Sequence, residues 1–244
     1  MIKIITKKDK EEVGLAAAEI IKNVISNKPN AVLGLATGSS PITTYQALID
    51  MNKKGEISFK NVKTVNLDEY VGLSADHDQS YRYFMNENLF NHIDIDKNNT
   101  YLPNGLASDL KAECERYDAV IDSMGGVDVQ VLGIGHNGHI GFNEPDDHFT
   151  KGTGHIALTD STIDANARFF ASRNEVPTSA LSMGVAQIMS AKSVILIAVG
   201  KAKAEIVKKA FFGKITPEVP ASALQLFKGD VYVVLDTEAA SLLD

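Results

Sequence analysis

Short apolar runs alternate with amphipathic stretches from one end of the chain to the other. The strand candidates are residues 2–6, 31–36, 64–67, 127–134, 155–158, 193–199 and 231–235. Several are apolar at every position, as in Val194-Ile195-Leu196-Ile197-Ala198-Val199. A strand with one wet face alternates, whereas a strand covered on both faces does not. Between the strands lie helical patterns. Residues 11–26 place Val13, Ala17, Ile20, Ile21 and Val24 on one face. Further helices are expected at 42–51, 80–90, 109–123, 178–190, 202–212 and 222–227. The strand–helix rhythm never breaks. It predicts an α/β, Rossmann-like fold: a single doubly wound domain over 1–244, with a mostly parallel central sheet and helices on both faces.

Composition narrows the function classes. An apolar share of 44% and a charged share of 23% are ordinary for a globular chain. The formal net charge of −7 argues against a nucleic-acid or membrane binder, though not against a locally basic pocket for an anion. Cys114 is the only cysteine, so no internal disulfide can form. The N-terminus turns charged within a few residues and lacks the apolar core of a signal peptide. A cytoplasmic location is expected.

In doubly wound folds, ligands bind outside the carboxyl ends of the strands. Three loops at such ends carry unusual chemistry. Thr37-Gly38-Ser39-Ser40-Pro41 follows a buried strand and opens a helix. Free amides at a helix start, with hydroxyls from Thr37 and Ser39 and a flexible Gly38, form an anion cradle. Ser40 is placed as the cap and Pro41 as the first helical residue; ordinary capping is the alternative reading. Asp68-Glu69 puts two carboxylates just past a strand. Their mutual repulsion favours proton transfer, although one acid could simply cap a helix.

The richest segment is Gly133-Ile134-Gly135-His136-Asn137-Gly138-His139-Ile140-Gly141-Phe142-Asn143-Glu144-Pro145. Gly133, Gly135 and Gly138 satisfy the dinucleotide-binding glycine spacing, but the match lies mid-chain and Pro145 soon interrupts any helix. His136 and His139 lie three apart, yet no helical face aligns them and no cysteine joins them, so no metal site is expected. Acid–base chemistry remains. His139 can carry a proton near neutral pH, Glu144 can orient it, and Asn137 can position substrate or water.

Read together, the segments LATGSSP (35–41), VNLDEYVG (65–72), GIGHNGHIGFNEP (133–145), ANARFF (165–170), GKAKA (200–204) and PASALQLF (220–227) closely resemble the glucosamine-6-phosphate deaminase family. The resemblance covers nearly the whole chain. It implies conversion of glucosamine 6-phosphate and water to fructose 6-phosphate and ammonia, with no metal or organic cofactor. Asp68 would move a proton between C2 and C1 of the open-chain sugar, through an enolamine. His139, with Glu144 and Asn137, would open the pyranose ring. The phosphate would rest on Thr37, Gly38 and Ser39, with Arg168 and Lys203 supplying positive charge. Glu69, Arg173 and His136 are second-tier candidates.

Asn137 departs from those family members that carry Asp at this place. Allosterically activated members carry basic residues after the active-site loop and a longer C-terminal tail. Here that segment reads Gly152-Thr153-Gly154-His155-Ile156 and the sequence stops at Asp244, so little activation by N-acetylglucosamine 6-phosphate is expected. Family relatives form hexamers, which allows a homo-oligomer, but no residue here marks an interface. The rival readings are a 6-phosphogluconolactonase, a galactosamine-6-phosphate deaminase and a sugar-phosphate sensor without turnover. Asp68, His139 and Glu144 weigh against the last.

Overall fold

A computed structural model describes residues 1–243, apart from the side chains at 161, 165 and 169. Its strands are β1 (Ile2–Lys7), β2 (Val32–Leu35), β3 (Lys63–Asn66), β4 (Asp68–Tyr70), β5 (Thr100–Tyr101), β6 (Val129–Leu132), β7 (Gly154–Ala157), β8 (Ser179–Ser182), β9 (Ser193–Ala198) and β10 (Asp230–Asp236). Its α-helices are α1 (Lys10–Asn27), α2 (Ile42–Lys53), α3 (Tyr81–Asn88), α4 (Leu110–Ser123), α5 (Asp160–Asn166), α6 (Val185–Ile188) and α7 (Ala204–Phe212).

Seven strands form one sheet in the order β1-β10-β9-β6-β2-β3-β5, and every pairing in it is parallel. β2 and β6 are buried at every position, as is β9 after Ser193. That is the burial expected of strands covered on both faces. Each such Val, Ile or Leu contributes roughly 1.5–3 kcal/mol by leaving water. α1 is started by Asp9, whose side chain accepts from the Glu12 amide at 3.0 Å. It buries Val13, Ala17, Ala18, Ile21 and Ile25 against the core.

The chain runs outward from β2 through β3 to β5, then returns to the other side of β2 with β6 and continues to β9 and β10. β2 and β6 therefore flank the point where strand order reverses, and a crevice opens between the loops that follow them.

Three local expectations are corrected. Residues 178–190 are not one helix. They form β8 and then the single-turn α6, because Ala180 and Leu181 are buried by strand pairing with β4 and β7. The strand expected at 155–158 exists as β7, but it belongs to a separate antiparallel sheet in the order β4-β8-β7. The turn before α2 lacks the expected serine cap: Pro41 is the capping residue, and no side chain bonds the first amides. Residues Pro220–Leu226 form a 3-10 helix. Among the described residues, no helix is long and apolar enough to cross a membrane.

Candidate active site

The crevice holds a cleft of about 500 Å³. Thr37, Gly38 and Ser39 line one wall from the loop after β2, and His136, Asn137 and His139 line another from the loop after β6. Asp68, Arg168 and Lys203 also face it. Glu144 stands behind His139 and completes the expected set.

The loop after β2 has an open approach. Gly38 has φ of +87°, a backbone region that favours glycine, and a β-carbon there would meet no atom within 4 Å. Across the cleft, Lys203 is anchored by a 2.6 Å bond from Nζ to the Ile134 carbonyl. Burial lowers its pKa. Arg168 follows the end of α5 and is exposed on the cleft.

Asp68 begins β4, separated from the end of β3 by Leu67 alone, and pairs with Ser182 of β8. The small sheet thereby pins a carboxylate at the carboxyl edge of the large one. Asp68 is 6% exposed. Burial, then the neighbouring Glu69 charge, pushes its pKa up to about 8. The His139 loop passes directly beside it: a β-carbon at Gly141 would stand 3.6 Å from Asp68 Oδ2.

Glu69 has a different task. Its carboxylate accepts the backbone amides of Tyr70, Tyr81 and Arg82, each at 2.9 Å, and so caps α3. Burial raises its pKa despite these three donors. The two adjacent acids thus separate into one facing the cleft and one holding a helix.

The loop after β6 is folded around His139. Gly135 is required by contact, since a β-carbon there would sit 2.2 Å from the imidazole. His139 Nδ1 lies 3.3 Å from Glu144 Oε1, close enough for charge pairing but without full hydrogen-bond geometry. The Asn137 amide donates to Glu144 Oε2 at 2.5 Å, and its carbonyl accepts the His139 amide at 3.2 Å. Burial alone would raise the Glu144 pKa, but His139, Asn137 and Thr162 outweigh it and hold the group at about 2.

The remaining candidates fall on either side of the cleft boundary. His136 faces the cleft, and the Lys203 charge, then burial and His139, lower its pKa. Arg173 instead pairs with Asp160 at 2.6 Å and with Asp164, bracing α5 from outside. Among the described residues, the one grouping of three candidate metal ligands is Asp146, Asp147 and His148, all exposed and outside the cleft lining. Sequence reasoning missed Tyr81 and Thr162, both of which line the cleft. Tyr81 stacks on Phe142 at 6.2 Å. Neither sits in a glycine-rich or charged motif that would have marked it.

A sequence model described as glucosamine-6-phosphate isomerases/6-phosphogluconolactonase matches residues 8–233. The chain belongs to this family. A glucosamine-6-phosphate deaminase of Clostridium beijerinckii is 55% identical over 242 residues, covering 99% of this chain and 100% of the relative. One from Lachnoclostridium phytofermentans is 57% identical over 225 residues, covering 92% and 95%. Among family structures, a monomeric glucosamine-6-phosphate deaminase superposes with a TM-score of 0.94 at 48% identity, covering 98% of this chain and 99% of that one. A 6-phosphogluconolactonase from Trypanosoma brucei shares the fold, with a TM-score of 0.76 at 20% identity and coverage of 100% and 99%.

Proposed function

We propose that this chain is a glucosamine-6-phosphate deaminase, an aldose–ketose isomerase that also releases ammonia. The whole chain, 1–244, is taken as the working unit. The observation that carries the reading is the pairing of two proton-transfer groups across one cleft: a buried carboxylate, Asp68, and an imidazole backed by a carboxylate, His139 with Glu144. Deaminase relatives at more than half identity over nearly the whole chain support it.

In this reading the phosphate sits on the amides and hydroxyls of Thr37, Gly38 and Ser39, facing Arg168 and Lys203. His139 gives a proton to the ring oxygen and relays the one on the C1 hydroxyl, opening the pyranose. Glu144 stays ionised and balances the imidazolium. Asn137 fixes Glu144. Asp68 then takes the proton from C2, leaving an enolamine, and returns it to C1. The resulting C2 imine is attacked by water, and the C–N bond breaks to leave fructose 6-phosphate and ammonia. Ring opening and the C2-to-C1 transfer run on side chains of this chain, and the proton that leaves the attacking water goes out on the ammonia.

Burial makes Asp68 a base that holds its proton until a cation arrives. The substrate ammonium at C2 is such a cation, and an opposite charge within a few ångströms lowers a carboxyl pKa by roughly 1–3 units. Binding would therefore ionise the base where it is needed.

The test is to incubate purified protein with glucosamine 6-phosphate, galactosamine 6-phosphate and 6-phosphogluconolactone. Ammonia and fructose 6-phosphate from the first substrate are expected. Hydrolysis of the lactone without ammonia release from either amino sugar would overturn the reading.

A further inference from the structure

The segment that carries Arg168 also reaches the acid–base pair. Thr162, in α5, donates its hydroxyl to Glu144 Oε1 at 2.8 Å. The same hydroxyl oxygen receives the Thr159 hydroxyl at 3.0 Å. With an incoming proton on its acceptor side, the Thr162 hydrogen is directed at Glu144. Glu144 is thus clamped at both oxygens, and the two clamps come from different parts of the chain: Asn137 holds Oε2 from the loop after β6, and Thr162 holds Oε1 from α5. Oε1 is also the oxygen that faces His139 Nδ1 at 3.3 Å. The Thr162 hydroxyl therefore helps set the distance and angle at which the carboxylate meets the imidazole. Asn137 bonds only the other oxygen, Oε2, so the hydroxyl on the oxygen that faces the imidazole is that of Thr162.

We infer that Thr162 is a positioning residue for ring opening, holding Glu144, and through it His139, from the segment that carries Arg168. The inference rests on the deaminase reading above. Thr162 lies six residues before Arg168, at the start of the stretch formed by α5 and the 3-10 turn Ala167–Phe169. Its neighbour Ile163 is buried in the small apolar cluster with Tyr70, Phe142, Leu158 and Val176. That anchor keeps α5 in place when the hydroxyl is removed.

Thr162→Val keeps the shape and deletes the hydroxyl, whereas Thr162→Ser keeps the hydroxyl. A hydrogen bond to a charged group predicts a fall in kcat of about tenfold for Thr162→Val. KM should stay within about twofold, because Thr162 itself is not a phosphate ligand. Thr162→Ser should recover most of the wild-type rate. The step affected is read with glucosamine 6-phosphate deuterated at C2. As ring opening becomes limiting in Thr162→Val, the isotope effect on kcat should fall toward unity. Three results would overturn the inference: wild-type kcat in Thr162→Val, an equal loss in Thr162→Ser, or a loss that leaves the C2 isotope effect as large as or larger than wild type. A wild-type protein that releases no ammonia would instead remove the deaminase reading, and this inference with it.

Discussion

His139 Nδ1 faces Glu144 Oε1 at 3.3 Å, on a carboxylate whose other oxygen is already taken by the Asn137 amide. The imidazole is therefore paired with a group that stays charged throughout the ordinary pH range. Glu144→Gln removes that charge with little change of shape. It should lower kcat about 100-fold and move KM little, as loss of one acid–base partner does. The Glu144 carboxyl sits below its unfolded pKa, so it contributes stability above about pH 4.5 that is lost as pH falls toward 2. The melting point of Glu144→Gln should accordingly lie below wild type at pH 7 and converge on it in strong acid. Steady-state kinetics and melting curves on one preparation check both statements.

Asn137→Asp tests the same clamp from the other side. The present amide-to-carboxylate contact of 2.5 Å would become two carboxyl groups at that separation. They cannot both ionise there, so one proton is shared and its pKa rises. The variant should remain active at low pH and lose rate as that shared proton leaves, because two anions push Glu144 off His139. A pH–rate profile that gains no new descending limb would contradict this.

Asp68 makes a prediction of opposite sign for stability. Its folded pKa of about 8 lies above its unfolded value, so the folded state holds an extra proton between them. Stability then falls as pH rises from about 4 to about 8, and the charge is a net cost above that window. Asp68→Asn should melt higher than wild type at pH 8, and the gap should close near pH 4. For the wild type, kcat/KM should climb as pH approaches 8, where free Asp68 ionises. A flat kcat/KM from pH 6 to 9 would count against Asp68 as the base.

Lys203 offers a point charge held in the cleft lining by its bond to the Ile134 carbonyl. Lys203→Met should raise KM for a phosphorylated substrate by roughly tenfold and leave kcat within about threefold, since uniform binding is lost rather than transition-state contact. An initial-rate series over substrate concentration decides.

The large sheet was legible because β9 and its neighbours are apolar at every position, and only double burial requires that. Of the small sheet, only β7 was. β4 reads Asp68-Glu69-Tyr70, a polar string that becomes a strand only by pairing with β8. β8 and α6 share a stretch whose apolar residues Ala180, Leu181, Met183, Val185 and Ile188 suit a helix as well as a strand followed by a turn. Glu69 was ambiguous for a similar reason: the amides it caps lie 12 and 13 residues further on. The cleft residues on glycine-rich or charged loops were visible as motifs. Thr162 was not, because its meaning depends on a carboxylate 18 residues away in sequence.

Ammonia release from glucosamine 6-phosphate by wild type and by Asp68→Asn, measured side by side near pH 8, bears most directly on the central claim. Wild type should produce ammonia and fructose 6-phosphate in equal amounts, and Asp68→Asn should fall at least about 100-fold while remaining folded. Comparable rates in the two proteins would contradict the assignment of Asp68 as the base that carries the proton from C2 to C1.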